Sequence, residues 1–327
     1  MSTPLHAVVS GSFTSDGTAV SLSLPSGYNK FEMYNVTDLG SASTTSVMTA
    51  EGLSAMSAGG AYYSIGAGGS STLTEKYTST GGFTFVSDSG STAAGSPIAL
   101  NSTEINQADP AVADSGTTSG LTAGVSVVRL KNTTGMLQVS GYDFTVGTIS
   151  AGTSFQLKFL DSTQTGFGAD ATAGSYTIIN ADPRFYPKRR FITKIASSTT
   201  TTVVTMSVTH GFTAGQSVRL IVPDAWGMSS LNGQLGNITA VNTSTNTITL
   251  DIDSSSYGSF SWPNSATAAA GVSPALVVPV GETANATYAN NLADATDNQS
   301  YTGVTIGTTV QTTGKVYQWV ASKGVSV

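Results

Sequence analysis

An all-β fold is what this sequence predicts, and three observations predict it. Serine and threonine fill 95 of the 327 positions and glycine another 36. Hydroxyl side chains compete with helical hydrogen bonding, and glycine costs about 1 kcal/mol at a helical site. Apolar residues alternate with polar ones in short runs, and nowhere do they keep helical spacing over three turns. Small-residue turns separate these runs at roughly even intervals, which is the pattern of a β-sandwich with jelly-roll or Greek-key connections. Only 10% of the residues are charged, against roughly 25% in ordinary globular domains. With a net charge of −6 and 39% hydrophobic residues, the chain is still expected to fold, because disorder pairs low hydrophobicity with high net charge.

The elements follow in order. Val20, Leu22 and Leu24 alternate with Ser21 and Ser23, predicting a strand with one face in water. Pro25-Ser26-Gly27 turns the chain into a second strand at 31–36. Residues 57–71 are loaded with Gly and Ala around Tyr62-Tyr63. From 89 to 124 Ser, Thr, Ala, Gly and Asp dominate around the turn signal Gln107-Ala108-Asp109-Pro110, so a long loop or arm is expected there. Strands are expected again at 125–130 and 136–139, joined by a turn at Asn132-Thr133-Thr134-Gly135. Phe155, Leu157 and Phe159 oppose Gln156 and Lys158 in another, and 176–180 closes the group. Any helix should be short, with 290–294 the best candidate.

Composition changes abruptly near residue 182. Arg184, Lys188, Arg189, Arg190 and Lys194, five of the thirteen basic residues, fall within eleven positions. Pro183 and Pro187 keep that run out of a helix interior or a central strand. Strands then recur at 200–209, 217–222 and 246–253. Three parts are therefore expected: a β-sandwich over 1–181 carrying the loop at 89–124, a small β-barrel or sandwich over 182–265, and C-terminal strands over 266–327. Two strands do not make a stable domain, so those at 274–280 and 315–320 should return to the first domain or reach a neighbouring subunit.

Catalytic and metal chemistry find little to work with. Cysteine is absent, which removes disulfides, thiolate metal sites and cysteine nucleophiles together. The two histidines are His6 and His210. His210 lies in the turn Thr209-His210-Gly211-Phe212 without a G-x-S-x-G elbow, so a bond from its imidazole to turn backbone is expected instead of a Ser-His-Asp site. Asp251 and Asp253 share a strand face near Asp224 and are candidates for paired carboxylates or for Ca²⁺, but no calcium loop motif accompanies them and a solvent-facing strand edge is expected. Gly66-Ala67-Gly68-Gly69 does not match a phosphate-binding loop. No catalytic, cofactor-binding or metal-binding residue is assigned, no cofactor is expected, and the chain reads as a protein without enzymatic activity.

The acidic balance, with a pI near 4.7, argues against nucleic acid and anionic membrane as partners. No apolar run approaches the roughly 18 residues of a membrane span. Residues 1–6 carry no basic stretch leading into an apolar one, so no secretory signal is expected. The triplets beginning at Asn35, Asn101 and Asn237 fit N-glycosylation only as chance matches in a Ser/Thr-rich chain. The cluster around Arg189 is expected to meet an acidic patch on a neighbouring copy of the same protein.

One segment carries a resemblance. Residues 183–192, Pro183-Arg184-Phe185-Tyr186-Pro187-Lys188-Arg189-Arg190-Phe191-Ile192, are followed by Thr209-His210-Gly211-Phe212-Thr213-Ala214-Gly215-Gln216. Ala225-Trp226-Gly227-Met228, Leu231-Asn232-Gly233 and the run from Thr249 to Tyr257 complete the set. Together they resemble a family of bacteriophage virion proteins whose small β module is labelled as similar to the first catalytic-cysteine half-domain of ubiquitin-activating enzyme. Without cysteine, no adenylation or thioester chemistry carries over. The resemblance covers about a quarter of the chain and implies a β module of phage tail and neck proteins. Physically, Trp226, Met228 and Leu231 are expected to fill the module's interior, with Gly211, Gly215 and Gly233 supplying turns. The resulting expectation is a virion protein of the tail or head–tail neck, forming a ring or sleeve with copies of itself and other virion proteins, and made in the host bacterial cytoplasm. A capsid decoration protein or head fibre, and an adhesin that binds host surface glycans, are the alternatives.

Overall fold

The computed structural model describes residues 7–39, 45–66, 72–86, 96–101, 105–168, 170–179, 191–197, 199–269, 271–283 and 302–323. These residues form an almost entirely β structure of curled antiparallel sheets, as the composition and alternation predicted. The α-helix found among them, α1 (Ser265–Ala269), has five residues. The helix expected at 290–294, the basic residues at 184–190 and residues 1–6 lie outside the described residues.

The first sheet has eight strands. Its outer strands are β1 (Val8–Thr14) and β2 (Val20–Ser23). Between them runs the meander β3 (Lys30–Asn35), β4 (Val47–Leu53), β5 (Gly60–Gly66) and β6 (Leu73–Val86). Two late strands, β19 (Gly303–Ile306) and β20 (Val316–Ser322), are inserted at either end of that meander, β20 between β1 and β3 and β19 between β6 and β2. The strand expected at 315–320 thus returns to the N-terminal ones, whereas the one expected at 274–280 does not: Leu276–Pro279 pairs with residues 218–221 in the third sheet. Inward residues of all these strands share one core, in which Phe13 stacks on Tyr317 at 5.5 Å and Phe31 on Trp319 at 5.7 Å.

Two glycines kink β6. Gly81 has a φ of +70°, and a Cβ on Gly82 would stand 2.7 Å from that of Ala61. Residues before the kink pair with β5, and Phe83–Val86 also pair with β19. The expectation that Ser21 and Ser23 face water is corrected: all of β2 is buried. Ser21 bonds the Thr305 hydroxyl at 3.2 Å, and the Ser23 N–H donates to Glu282 at 2.9 Å.

The second sheet orders β7 (Ile98–Ala99), β12 (Ala173–Ile179), β9 (Val127–Thr134), β10 (Asp143–Ser150), β11 (Ser154–Leu157) and β8 (Val112–Asp114). Asp143, Phe144 and Thr145 pair with β9, while Val146 and beyond turn to β11, so β10 bends from one half of a curled sheet to the other. Ile105 bridges Ala113 on one side and Ala171 on the other, which closes the curl. The stretch expected as a long loop therefore supplies two strands and a buried bridge. Ala111, Ala113, Ile105 and Leu100 are all buried and pack into the same core as Phe144, Phe155 and Tyr176. The turn expected at 132–135 is also displaced. β9 runs through it to Thr134, and residues 137–139 form a 3₁₀ turn instead of a strand. Phe159 adopts a φ of +70° and leaves the strand, so Leu160 takes the buried position expected for it.

The third sheet orders β13 (Ile192–Ser197), β14 (Thr202–Met206), β17 (Thr247–Leu250), β16 (Leu235–Asn242), β15 (Ser217–Ile221) and β18 (Leu276–Pro279). Its end strands meet through the bridge from Phe191 to Leu276 and the bond from Ile192 N–H to Ala275 O, at 2.9 Å. The small barrel expected here is thus present, but its closing strand lies beyond residue 265. Trp226, Met228 and Leu231 fill its interior as predicted. Gly215 and Gly233 have φ near +80°, whereas Gly211 does not enter the left-handed region.

The second and third sheets share one continuous core. Tyr142 sits between them, with ring centroids 4.9 Å from Phe191, 5.0 Å from Trp262 and 6.0 Å from Trp226. Phe167 of the second sheet's loops meets Trp262 at 5.1 Å. Each polar tip in this cluster has an acceptor: Tyr142 O–H donates to Ile192 O, Trp262 Nε1 to Thr193 O, and Trp226 Nε1 to Ser273 O. Burial raises the Tyr142 phenol well above its ordinary pKa, so the donating, neutral form is the one held here.

Candidate assembly surface

Period-two alternation places every second residue of β3 to β6 on the outer face of the first sheet. Register then aligns them into rows. Glu32 stands opposite Glu51, Glu51 opposite Tyr62, and Tyr62 opposite Tyr77. One step along, Tyr34, Thr49, Ser64 and Glu75 form the parallel row. Like carboxylates directly opposite each other repel. Here the Lys30 ammonium lies 3.1 Å from Glu32 and 3.3 Å from Glu51, and the bond to Glu32 leads the causes that raise its pKa. Desolvation, followed by the charge on Glu32, raises Tyr34.

Toward β6 the face becomes aromatic. The Tyr62 and Tyr77 rings pair at 5.2 Å, yet they remain 56% and 53% exposed. An aromatic pair half in water is an unspent contact surface, since such rings dominate interface energetics when covered. Glu32, Tyr34, Glu51, Tyr62 and Glu75 also rim a shallow depression of about 180 Å³. One exposed edge accompanies the face: Leu73–Val86 is exposed along nearly all of its first eight positions.

Among the described residues, those singled out in the sequence do not converge here or elsewhere. Asp251 accepts from Asn237 N–H at 2.6 Å and from Asn237 Nδ2 at 2.8 Å, the latter contact being the leading cause of its lowered pKa. Asp253 accepts from the Ser255 hydroxyl and N–H, which lower its pKa as well. Asp251 thus ties the end of β17 to β16, and Asp253 fastens a local turn. No group of three or more His, Cys, Asp or Glu able to hold a metal occurs among the described residues. His210 Nδ1 accepts from the Phe212 N–H at 3.2 Å, the turn-backbone bond expected of it. Of the basic cluster only Lys194 lies in the described residues, where it pairs with Asp161 of the second sheet at 3.2 Å. Among the glycosylation triplets, Asn35 is buried and bonded to Asp38.

The grouping of Tyr34 in one row with Tyr62 and Tyr77 in the next was missed in the sequence because the three are 43 positions apart end to end. Their only shared signal is odd or even placement within separate runs, and register decides whether such runs align. Among the described residues no helix is long and apolar enough to cross a membrane. Comparison of the chain with models of protein families, with curated proteins and with solved structures finds no match to any of them.

Proposed function

We propose that this chain is a non-enzymatic structural subunit of a tailed-bacteriophage virion, in the tail or head–tail neck, where copies of it assemble into a ring or sleeve. The observation that carries the reading is the contrast between covered and uncovered strand edges in the first sheet. At β1 the Ser12 carbonyl accepts from Gln216 Nε2, and Gly281 packs against the Ser10 carbonyl. At β2 the Ser23 N–H donates to Glu282, and its carbonyl accepts from Thr283 N–H at 3.0 Å. Among the described residues, the exposed half of β6 has no strand on its outer edge, and it lies beside half-exposed tyrosines. Open edges are templates for pairing with another chain, and proteins that stay single hide them. A surface rich in Ser and Thr with few charges suits repeated burial against neighbours, because hydroxyls cost little to bury once bonded. The phage-like strings at 209–216 and 225–233 supply the virion context by resemblance alone.

A second reading, glycan binding, is favoured by one feature: tyrosines and carboxylates gather at the 180 Å³ depression. Negative-stain microscopy of the purified chain, paired with a glycan array, separates the two. Closed rings or stacked sleeves support assembly. Single particles that bind glycans overturn it in favour of the adhesin.

A further inference from the structure

We infer that the free edge of β6 is a self-docking strand, to which a second copy of this chain adds antiparallel with Tyr77 of each copy meeting on the two-fold axis. The inference rests on the assembly reading and specifies its contact. Among the described residues, Leu73 to Thr78 pair with β5 on one side, and no strand pairs with the other. The kink at Gly81-Gly82 is what frees that side, because it sends β19 to Phe83–Val86 alone.

Self-pairing must obey a parity rule. A two-fold axis normal to the sheet keeps each residue on its own face, so directly opposite residues differ by an even number. That leaves few centres. Centring on Glu75 would oppose two carboxylates, and centring on Lys76 would oppose two ammonium groups, both destabilising. Centring on Thr74 or Thr78 shortens the match, running into the strand start or into Gly81. Centring on Tyr77 pairs 74–80 throughout, with Glu75 opposite Ser79 and Lys76 opposite Thr78. The two Lys76 side chains are then diagonal neighbours on the other face. It also extends the Tyr62–Tyr77 pair into a row of four rings across both copies, the kind of aromatic centre that carries interface energy. An isologous contact of this kind closes at two copies, so a ring needs a second, heterologous contact as well.

The absence of native cysteine makes the register directly readable. Full-length Tyr77→Cys should form a disulfide-linked dimer under mild oxidation, since opposed residues bring their Cβ atoms within about 4.5–5.5 Å. Glu75→Cys alone should stay monomeric on a non-reducing gel, yet cross-link when mixed with Ser79→Cys. Tyr77→Arg should weaken self-association by roughly tenfold or more in sedimentation velocity. Circular dichroism identical to the unaltered chain shows each variant folded, and the Glu75→Cys/Ser79→Cys mixture reads the register even where Tyr77 is kept. A cross-link with Glu75→Cys alone, or none in any combination, overturns the inference. Rings without the Tyr77→Cys cross-link overturn it while sparing the assembly reading. Cross-linked dimers that never form rings support the edge contact and overturn the ring.

Discussion

Arg129 and Asp143 show how much one pair of side chains can decide. They stand opposite each other on β9 and β10, both fully buried, with Nε to Oδ1 at 2.7 Å and a second bond from the guanidinium to Oδ2 at 3.0 Å. Two parallel charge-assisted bonds hold the strands at the point where β10 begins to bend away. In the sequence Arg129 sits in the apolar run Val127-Val128-Arg129-Leu130, and that oddity is visible. Its partner, fourteen positions on, becomes apparent only once register is known. Taking two charges out of water is costly, and removing one partner leaves the other charged in a low-dielectric site. Asp143→Ala should therefore lower the unfolding free energy by about 3–5 kcal/mol. The double variant Arg129→Leu/Asp143→Leu should cost clearly less than Asp143→Ala. Chemical denaturation of the three chains checks the order, and a double variant worse than the single one would refute it.

Elements were legible where alternation ran clean, as at β3, β15, β17 and β20. They were illegible where the strands were short or the partner distant. β7 and β8 hide in a Ser/Ala/Asp-rich stretch because they are two and three residues long, too short to show alternation. The docking of elements was equally hidden, as at the turn after β3. There Asp38 accepts from Lys315 Nζ at 2.8 Å, Ser46 Oγ at 2.5 Å and Asn35 Nδ2 at 3.0 Å, tying the β3–β4 connection to the approach to β20. The Lys315 contact leads the causes that hold the carboxyl below its ordinary pKa. A depressed carboxyl stabilises the fold fully above its unfolded-state value of about 3.9, and the contribution is lost as pH falls through the folded value. Lys315→Met should thus melt at lower temperature than the unaltered chain near about pH 7, and the gap should shrink on acidification toward about pH 3. Thermal melts across that range test the sign; a gap that widens in acid would exclude the assignment.

At the scale of the whole molecule, the expected units and the observed cores divide the chain differently. An abrupt change in composition near residue 182 marks a change of local chemistry, but packing ignores it. Trp226 and Trp262 project from the third sheet's loops into a cluster completed by Tyr142 and Phe167 of the second. The first sheet keeps a separate core, built from residues on both sides of the other two sheets in sequence. The chain thus carries one double barrel inserted into one curled sheet, so the cooperative unit should be 96–283 and not the third sheet by itself. Cutting between the barrels would uncover large aromatic surface, worth about 25 cal/mol for each Å² returned to water. The chain has three tryptophans, and Trp319 belongs to the first sheet, so emission from a 96–283 fragment reports only Trp226 and Trp262. That fragment should unfold cooperatively with blue-shifted emission, whereas a 191–283 fragment should emit at longer wavelength and aggregate. Limited proteolysis of the full chain should accordingly release no stable 191–283 piece, and a well-folded 191–283 monomer would show that the shared aromatic cluster contributes little.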